Sequence, residues 1–223
     1  MRAKQVLAGM SMEARNGRNH MSRIGMIAGV ALVAAFAASS AFAQQPQTQR
    51  LSGTIEKING NMVLVKTSQG EATVALADKA LIVDVHKASL ADIKEGSYIG
   101  SGAVPQADGT QKAVEVHIFA ESQRGTGDGH RPGWPGAPNG TMTNGAAGAP
   151  VTGVDGLTVM VKYKDGEKKL MVTPSTPIVR YEVGSASSLK PGANFSVPAA
   201  TKKPDGTFEA ARINVGVNGV VPN

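Results

Sequence analysis

The 223-residue chain contains no cysteine, and aromatic residues make up only 4% of it. The absence of cysteine excludes disulfide bonds, thiolate zinc sites, iron–sulfur clusters and a thiol nucleophile. One tryptophan, three tyrosines and five phenylalanines are too few for the stacking platforms that bind single-stranded nucleic acid. A chain of this length allows one or two small domains.

Residues 21–43 have the pattern of a secretory signal peptide. Arg23 supplies a basic start, residues 24–38 are almost entirely apolar or small, and Ala41-Phe42-Ala43 fits the small-x-small cleavage rule. We therefore predict a signal peptide over residues 1–43, cleaved after Ala43, with an uncleaved N-terminal anchor as the alternative. Met21 makes a better start than Met1, because the twenty residues before it show little apolar pattern.

Cleavage changes the charge of the protein. The precursor holds 23 basic and 17 acidic residues, of which five and one lie in residues 1–43, so the mature chain keeps 18 and 16, a net charge of +2. A nearly neutral surface argues against nucleic acid or anionic lipid as a partner. No other stretch is apolar and long enough to span a bilayer. We predict an exported, periplasmic or secreted product with a polar N-terminal segment at residues 44–49.

The mature chain contains an internal repeat, found by shifting the sequence 96 residues against itself. Two tandem modules follow, at residues 50–120 and 151–223, separated by a connector at residues 121–150. The matches are Val63, Val65 and Lys66 with Val159, Val161 and Lys162, Gly70-Glu71 with Gly166-Glu167, and, after one added residue, Asp108-Gly109-Thr110 with Asp205-Gly206-Thr207.

Both repeats have the period-two apolar spacing and closely spaced turn signals of β-strands. Short helical turns follow Ser89 and Ser185, and the opening strand of the second repeat is unclear. We predict an all-β fold of two tandem, five- to six-stranded, barrel-like (OB-like) modules. The predicted strands are 50–57, 61–67, 71–77, 80–86, 97–104 and 111–119, and then 157–163, 167–173, 177–183, 193–201 and 207–216.

Alternation also predicts which side chains face the core. Met62, Leu64 and Met160 should point outward, where they either pack between the modules or form a partner surface. The predicted core positions are Val63, Val65, Val74 and Leu76 in the first repeat and Val159, Val161, Leu170 and Val172 in the second.

The connector divides into two parts. Residues 121–136 include the only tryptophan of the chain, which a linker selected for reach alone would not need, so we predict a structured loop there. Residues 137–150 are rich in glycine, proline and asparagine and are predicted to be a flexible linker. The predicted ligand- or partner-binding residues are Arg124, Asp128, His130, Arg131 and Trp134.

The export signal, the paired barrel-like repeats and the loop from Arg124 to Trp134 resemble a group of uncharacterised periplasmic proteins of proteobacteria with tandem small β-barrel domains of unknown function. The resemblance covers roughly residues 50–220 and implies a fold and a compartment, but no catalytic residues. Members often carry an automatic label as metal transporter permease, which this sequence contradicts because it lacks the several spanning helices that a permease needs.

Three histidines remain after cleavage. The alternating direction of side chains along a strand predicts that His86 and His117 point to solvent. His130 and Asp128, which lie in the connector, form the better pair of metal-ligand candidates. No Gly-x-Ser-x-Gly elbow, P-loop or paired carboxylate site indicates an enzyme.

These observations predict an exported, non-enzymatic protein that binds an envelope protein or a small ligand through the inter-repeat loop. Trp134 would be its apolar anchor, or would instead pack between the modules. The alternatives are a periplasmic metal-binding or metal-delivery protein, for which a divalent metal would be the cofactor, and an envelope spacer without a ligand.

Overall fold

The computed structural model describes residues 48–223 of the chain. This part contains thirteen β-strands and three short 3₁₀ turns, at Leu90–Asp92, Glu121–Gln123 and Ala186–Ser188. The predicted signal peptide lies outside these residues. The strands are β1 (Thr48–Asn59), β2 (Met62–Thr67), β3 (Gly70–Lys87), β4 (Tyr98–Pro105), β5 (Gln111–Ile118), β6 (Gly129–Pro132), β7 (Thr141–Ala147), β8 (Val151–Gly153), β9 (Gly156–Tyr163), β10 (Gly166–Val172), β11 (Ile178–Val183), β12 (Asn194–Lys202) and β13 (Phe208–Gly216).

The all-β prediction is confirmed, and most predicted strands match observed ones within a few residues. The strands predicted at residues 71–77 and 80–86 form the single strand β3, and β6, β7 and β8 were not predicted. The predicted core valines and leucines are all buried, while Met62, Leu64 and Met160 are half-buried on the opposite faces. Both predicted helical turns are present as 3₁₀ turns. The backbone N–H of Ser89 donates to Asp92 Oδ2 at 2.8 Å, and that of Ser185 donates to Ser188 Oγ at 3.3 Å.

The strands of the two sequence repeats are exchanged within one 13-stranded sheet. One circuit of pairings runs β1–β2–β3–β13–β12 and returns to β1, so the first three strands of repeat one pair with the last two of repeat two. A second circuit runs β4–β5–β10–β9–β7 and returns to β4, which combines the last two strands of repeat one with the early strands of repeat two. Strand β11 joins the circuits through β5 and β3.

Two tandem modules are therefore not confirmed. Alternation fixes which residues form a strand and which face is buried, but it does not specify the neighbouring strand. Equivalent strands of two similar repeats offer similar edges and similar apolar faces. Either copy can thus supply the partner, and here the other copy does.

The apolar core follows the circuits and not the repeats. One cluster combines residues such as Val63 and Val74 with Phe195 and Ile213, and a second combines Ile99 with residues such as Val159. A third, smaller cluster lies where β3 and β11 meet and includes Val85 and Tyr181. Each cluster draws on both repeats, so neither repeat holds a complete core of its own.

The prediction of a flexible linker at residues 137–150 is wrong, because strand β7 lies there and is mostly buried between β4 and β9. Strand β7 is the counterpart of β1. Gly145 of β7 pairs with Ile99, and its counterpart Gly53 of β1 pairs with Phe195. Gly53 and Gly145 are 92 residues apart, whereas Ile99 and Phe195 are 96 residues apart, so the second repeat has four extra residues between β7 and β9, around β8. A uniform shift of 96 residues therefore cannot reveal β7 as the opening strand of the second repeat.

Candidate functional site

A cleft of about 280 Å³ is lined by both circuits of strands and by the loop that carries Trp134. We call it the central cleft. A neighbouring cavity of about 310 Å³ shares Arg50, Trp134, Pro135 and Asn223 with it and adds Glu115. The lining residues of the central cleft are Arg50, His117, Phe119, Thr126, Arg131, Gly133, Trp134, Pro135, Met142, Tyr181, Pro198, Arg212, Asn214 and Asn223.

A buried carboxylate–imidazole pair lies beside the cleft. Glu115 Oε1 and His117 Nε2 are 2.7 Å apart, and the two residues are only 5% and 3% exposed. The prediction that His117 faces solvent is therefore wrong. Residues Glu115–Ile118 of β5 are buried without alternation, because the Trp134 segment and the last residues of the chain cover what would otherwise be the outer face.

Hydrogen bonds keep the Glu115 carboxylate charged although it is buried. Burial alone would raise the pKa of Glu115, but hydrogen bonds from His117 and Asn223 and the nearby charges of His117 and Arg50 together lower it below its ordinary value. The side-chain amide of Asn223 donates to the second carboxylate oxygen, Oε2. Both oxygens of this carboxylate are thus engaged inside the protein.

The lowered pKa of Glu115 predicts a loss of stability in acid. The pKa of Glu115 is lower in the folded than in the unfolded chain, so the ionised carboxylate stabilises the fold above about pH 4.5. This stabilisation is lost as the pH falls through the pKa that Glu115 has in the folded chain. Glu115→Gln should lower the free energy of unfolding at pH 7 by about 1–3 kcal/mol. Urea unfolding at a series of pH values should show a flatter acid limb for the variant, and an unchanged limb would contradict this prediction.

Two aromatic rings flank the His117 ring of the pair, and a third packs against one of them. The His117 ring stacks on Tyr181 at a centroid distance of 5.0 Å and lies 5.8 Å from the ring of Trp134. Phe119 meets Tyr181 edge-on at 5.4 Å. Burial, and next the charge of Glu115, raise the pKa of the Tyr181 phenol, so this group stays neutral. These rings make part of the cleft apolar.

Trp134 forms one wall of the cleft and is only 9% exposed. Its ring lies against the backbone of β4 at Gly102, where a Cβ atom would come within 2.2 Å of Trp134 Cε2. The N–H groups of Gly133 and Trp134 both donate to the carbonyl of Gly140, which holds the loop in place. The buried indole Nε1 has no hydrogen-bond partner within residues 48–223. Trp134 thus packs against β4, whereas the two predicted alternatives were an apolar anchor for a partner and packing between the modules.

Three arginines bring positive charge to the cleft. The Arg212 guanidinium lies 5.4 Å from the centre of the Tyr181 ring, and its Nε donates to Asn214 Oδ1 at 2.8 Å. Burial lowers the pKa of Arg212 from its ordinary value, yet far too little to remove the charge. Arg50 and Arg131 are exposed at the cleft margin.

Of the five loop residues predicted to bind a ligand or partner, only Arg131 and Trp134 line the cleft. Arg124 forms an ion pair with Glu121 and donates to the Gly96 carbonyl. Asp128 accepts hydrogen bonds from the Tyr98 hydroxyl and the Lys164 N–H. His130 Nδ1 lies 2.8 Å from Thr143 Oγ1.

The side chains of Arg124, Asp128 and His130 therefore hold the loop against the sheet. Burial and the neighbouring Asp128 carboxylate raise the pKa of Tyr98 to about 12. Desolvation, followed by the charge of Lys168, lowers the pKa of His130. Both effects follow from the packing of the loop, and neither requires a ligand.

The metal-ligand candidates do not converge within the part of the chain that the structure describes. No group of three or more His, Asp or Glu side chains there could hold an ion. His86 is half-buried and its Nε2 lies 3.5 Å from Glu182 Oε2, while Asp128 and His130 bind other groups of the loop and sheet.

Sequence reasoning missed Arg50, Glu115, Tyr181 and Arg212 as site residues. They come from β1, β5, β11 and β13, and only the strand exchange brings these four strands to one place. One signal was available. Glu115 and His117 occupy the repeat positions of Arg212 and Asn214, so polar residues stand at these central strand positions in both copies.

No helix within residues 48–223 is long and apolar enough to cross a membrane. No protein-family model matches the chain, and no curated protein or solved structure matches it either. The resemblance to the periplasmic proteins of proteobacteria stays a prediction, and the function is inferred from the central cleft.

Proposed function

We propose that this is an exported, non-enzymatic protein that binds a small ligand in the central cleft. The observation that carries the proposal is the cleft itself, where arginines and aromatic side chains converge on a concave surface built from both repeats. Binding sites for small molecules combine apolar walls with a few oriented polar groups in this way. The cleft is at the small end of such sites, which suits a ligand of modest size.

The contacts of the loop favour a small ligand over a protein partner. Arg124 and Asp128, which would have met a partner, are bound to groups of the same chain. Trp134, which would have been the exposed anchor, is buried against Gly102. A protein partner would have to displace these contacts, whereas a small ligand can enter beside Arg131 with the loop in place.

The Glu115–His117 pair supports binding and not catalysis. A general base needs an available lone pair directed at its substrate. One oxygen of the Glu115 carboxylate is paired with His117 and the other accepts a hydrogen bond from Asn223. The pair is thus a buried support that fixes the His117 and Tyr181 rings next to the ligand.

The proposal includes an architecture and a compartment. Each circuit of strands is taken as one small, OB-like barrel, and the two barrels have exchanged strands between the repeats. Closed pairing suits an exported chain, because it leaves few exposed strand edges. Cleavage after Ala43 would release this chain into the periplasm.

Native mass spectrometry of the protein purified from its own periplasm, with metal analysis of the same sample, tests the proposal. We expect a chain beginning at Gln44, carrying a small non-covalent adduct. Met142→Trp places a large side chain in the cleft and should remove the adduct. Met160→Trp is the matched control, because Met160 is also half-buried on a strand but does not line the cleft.

Three outcomes would contradict the proposal. A bare mass for the wild type would remove the small ligand. An adduct retained in Met142→Trp would place the ligand elsewhere. A stoichiometric metal lost on His130→Ala would favour the metal-binding alternative.

A further inference from the structure

We propose that the ligand of the central cleft is a small aromatic oxyanion, that is, a carboxylate or phosphate group attached to a planar ring. This inference rests on the proposed function, because it names the chemical class of the ligand for the same cleft. It follows from the charges that line the cleft, from the hydrogen-bond donors left over there, and from the apolar walls beside them.

The charge of the cleft selects an anion. Arg50, Arg131 and Arg212 line it, and no aspartate or glutamate side chain does so within residues 48–223. The buried carboxylate of Glu115 lines the neighbouring cavity and is already engaged by His117 and Asn223. Three cationic groups facing one small cleft favour a negatively charged occupant and disfavour a cation.

The arginines retain donors for a ligand. A guanidinium has five N–H donors and binds the two oxygens of a carboxylate or phosphate in parallel. Arg212 uses its Nε–H on Asn214, and Arg131 uses one terminal N–H on the Gly127 carbonyl. Within residues 48–223, the terminal N–H groups of Arg212 make no other hydrogen bond, so they can hold an oxyanion.

The remaining walls of the cleft favour a planar ring. Trp134, Phe119 and Met142 supply apolar surface close to the arginines. An inorganic anion would leave this surface in contact with water, whereas a ring attached to the anion would bury it. A volume of about 280 Å³ has room for one ring with a short charged substituent.

A titration of the full mature protein tests the class of ligand. Trp134 is the only tryptophan, so the ¹⁵N-labelled protein has a single indole N–H resonance, and this reporter lies in the cleft wall. The probes are benzoate, phenyl phosphate, benzamide as the neutral counterpart of benzoate, and inorganic phosphate. Benzoate or phenyl phosphate should shift the indole resonance. The one that does so at the lower concentration binds more tightly and identifies the acidic group. Benzamide and inorganic phosphate should bind at least about tenfold more weakly.

Variants separate the charge from the packing. Arg131→Gln and Arg212→Gln should each weaken the aromatic anion by about tenfold and leave benzamide unchanged. Arg180→Gln is the matched control, because Arg180 neighbours Tyr181 in sequence but forms surface ion pairs with Glu182 and Asp92. Dispersed ¹H–¹⁵N spectra establish that each variant is folded, and Arg131 is exposed enough that its substitution leaves the core untouched.

The outcomes distinguish this inference from the proposed function. Benzamide binding as tightly as benzoate, or variants that bind the anions normally, would overturn the anionic class while a cleft ligand survives. Inorganic phosphate binding as tightly as phenyl phosphate would overturn the aromatic part. If no probe shifts the indole resonance, the inference is overturned, and the adduct in native mass spectrometry decides the proposed function separately.

Discussion

Divided between its repeats, the chain is expected to yield two fragments that are unfolded alone and fold when mixed. The fragments 44–138 and 139–223 meet in the loop before β7. The first would keep β1–β3 without β12 and β13, and the second would keep β7, β9 and β10 without β4 and β5. Each would expose half of a core cluster, and neither could repay the entropy of folding.

Circular dichroism and ¹H–¹⁵N spectra of the fragments, separately and at equal concentrations, provide the measurement. The separate fragments should give poorly dispersed spectra, and the mixture should reproduce the spectrum of the intact chain. A full-length protein cut by a protease in the same loop is the control, since it should remain folded as a non-covalent complex. Cooperative unfolding of either fragment alone would contradict the exchange and favour tandem modules.

Removal of the Trp134 ring is expected to have the largest effect of any single substitution in the cleft. Trp134→Ala should lower the free energy of unfolding by about 3–5 kcal/mol, because the ring is buried and its loss leaves a cavity over β4. Gly102→Ala should act in the same direction without touching the tryptophan, because the new Cβ would lie 2.2 Å from the ring. Urea unfolding of both variants measures the two effects.

The control is Trp134→Phe, which keeps a ring over Gly102 and should recover part of the lost stability. In the Gly102→Ala variant, the fluorescence of Trp134 should shift to longer wavelength as the ring is displaced toward solvent. If Trp134→Ala unfolds at the same urea concentration as the wild type, the tryptophan is an exposed anchor for a partner, and its packing role is refuted.

The strands themselves are predictable from local patterns. Residues such as Val63, Val65, Val159 and Val161 recur at every second position and are buried in the structure, whereas Leu64 and Met160 between them are half-buried. The turns follow glycine-containing pairs such as Asn59-Gly60, whose glycine has a φ of +61°. These features depend on a few adjacent residues, so they can be derived from one sequence.

The pairing of the strands was not predictable in the same way. Both repeats present comparable strands, and nothing local distinguishes a partner within a copy from one in the other copy. The buried strand β7 was hidden for a second reason, since its glycine- and threonine-rich sequence resembles a linker and its offset from β1 differs by four residues. Burial of such small residues results from the neighbouring strands, which the local pattern does not contain.

The candidate site depends on this pairing. His117 appeared exposed by alternation because the rule assumes one solvated face, but the Trp134 loop covers that face. Arg50 and Arg212 carry no motif and are 162 positions apart in the sequence. The loop residues Arg131 and Trp134 were the part of the site that composition alone could indicate, because tryptophan is rare in this chain.

Long-range NOEs between backbone protons of the labelled chain, residues 44–223, test the exchange of strands most directly. The antiparallel pairing of β1 with β12 predicts contacts between Ser52 and Ser196 and their neighbours, and that of β4 with β7 predicts contacts around Ser101 and Thr143. Observation of both sets would establish that each circuit contains strands of both repeats, and hence that the central cleft is built jointly. Contacts between β1 and β4 and between β3 and β5 in their place would show two unexchanged modules and contradict the cleft as described.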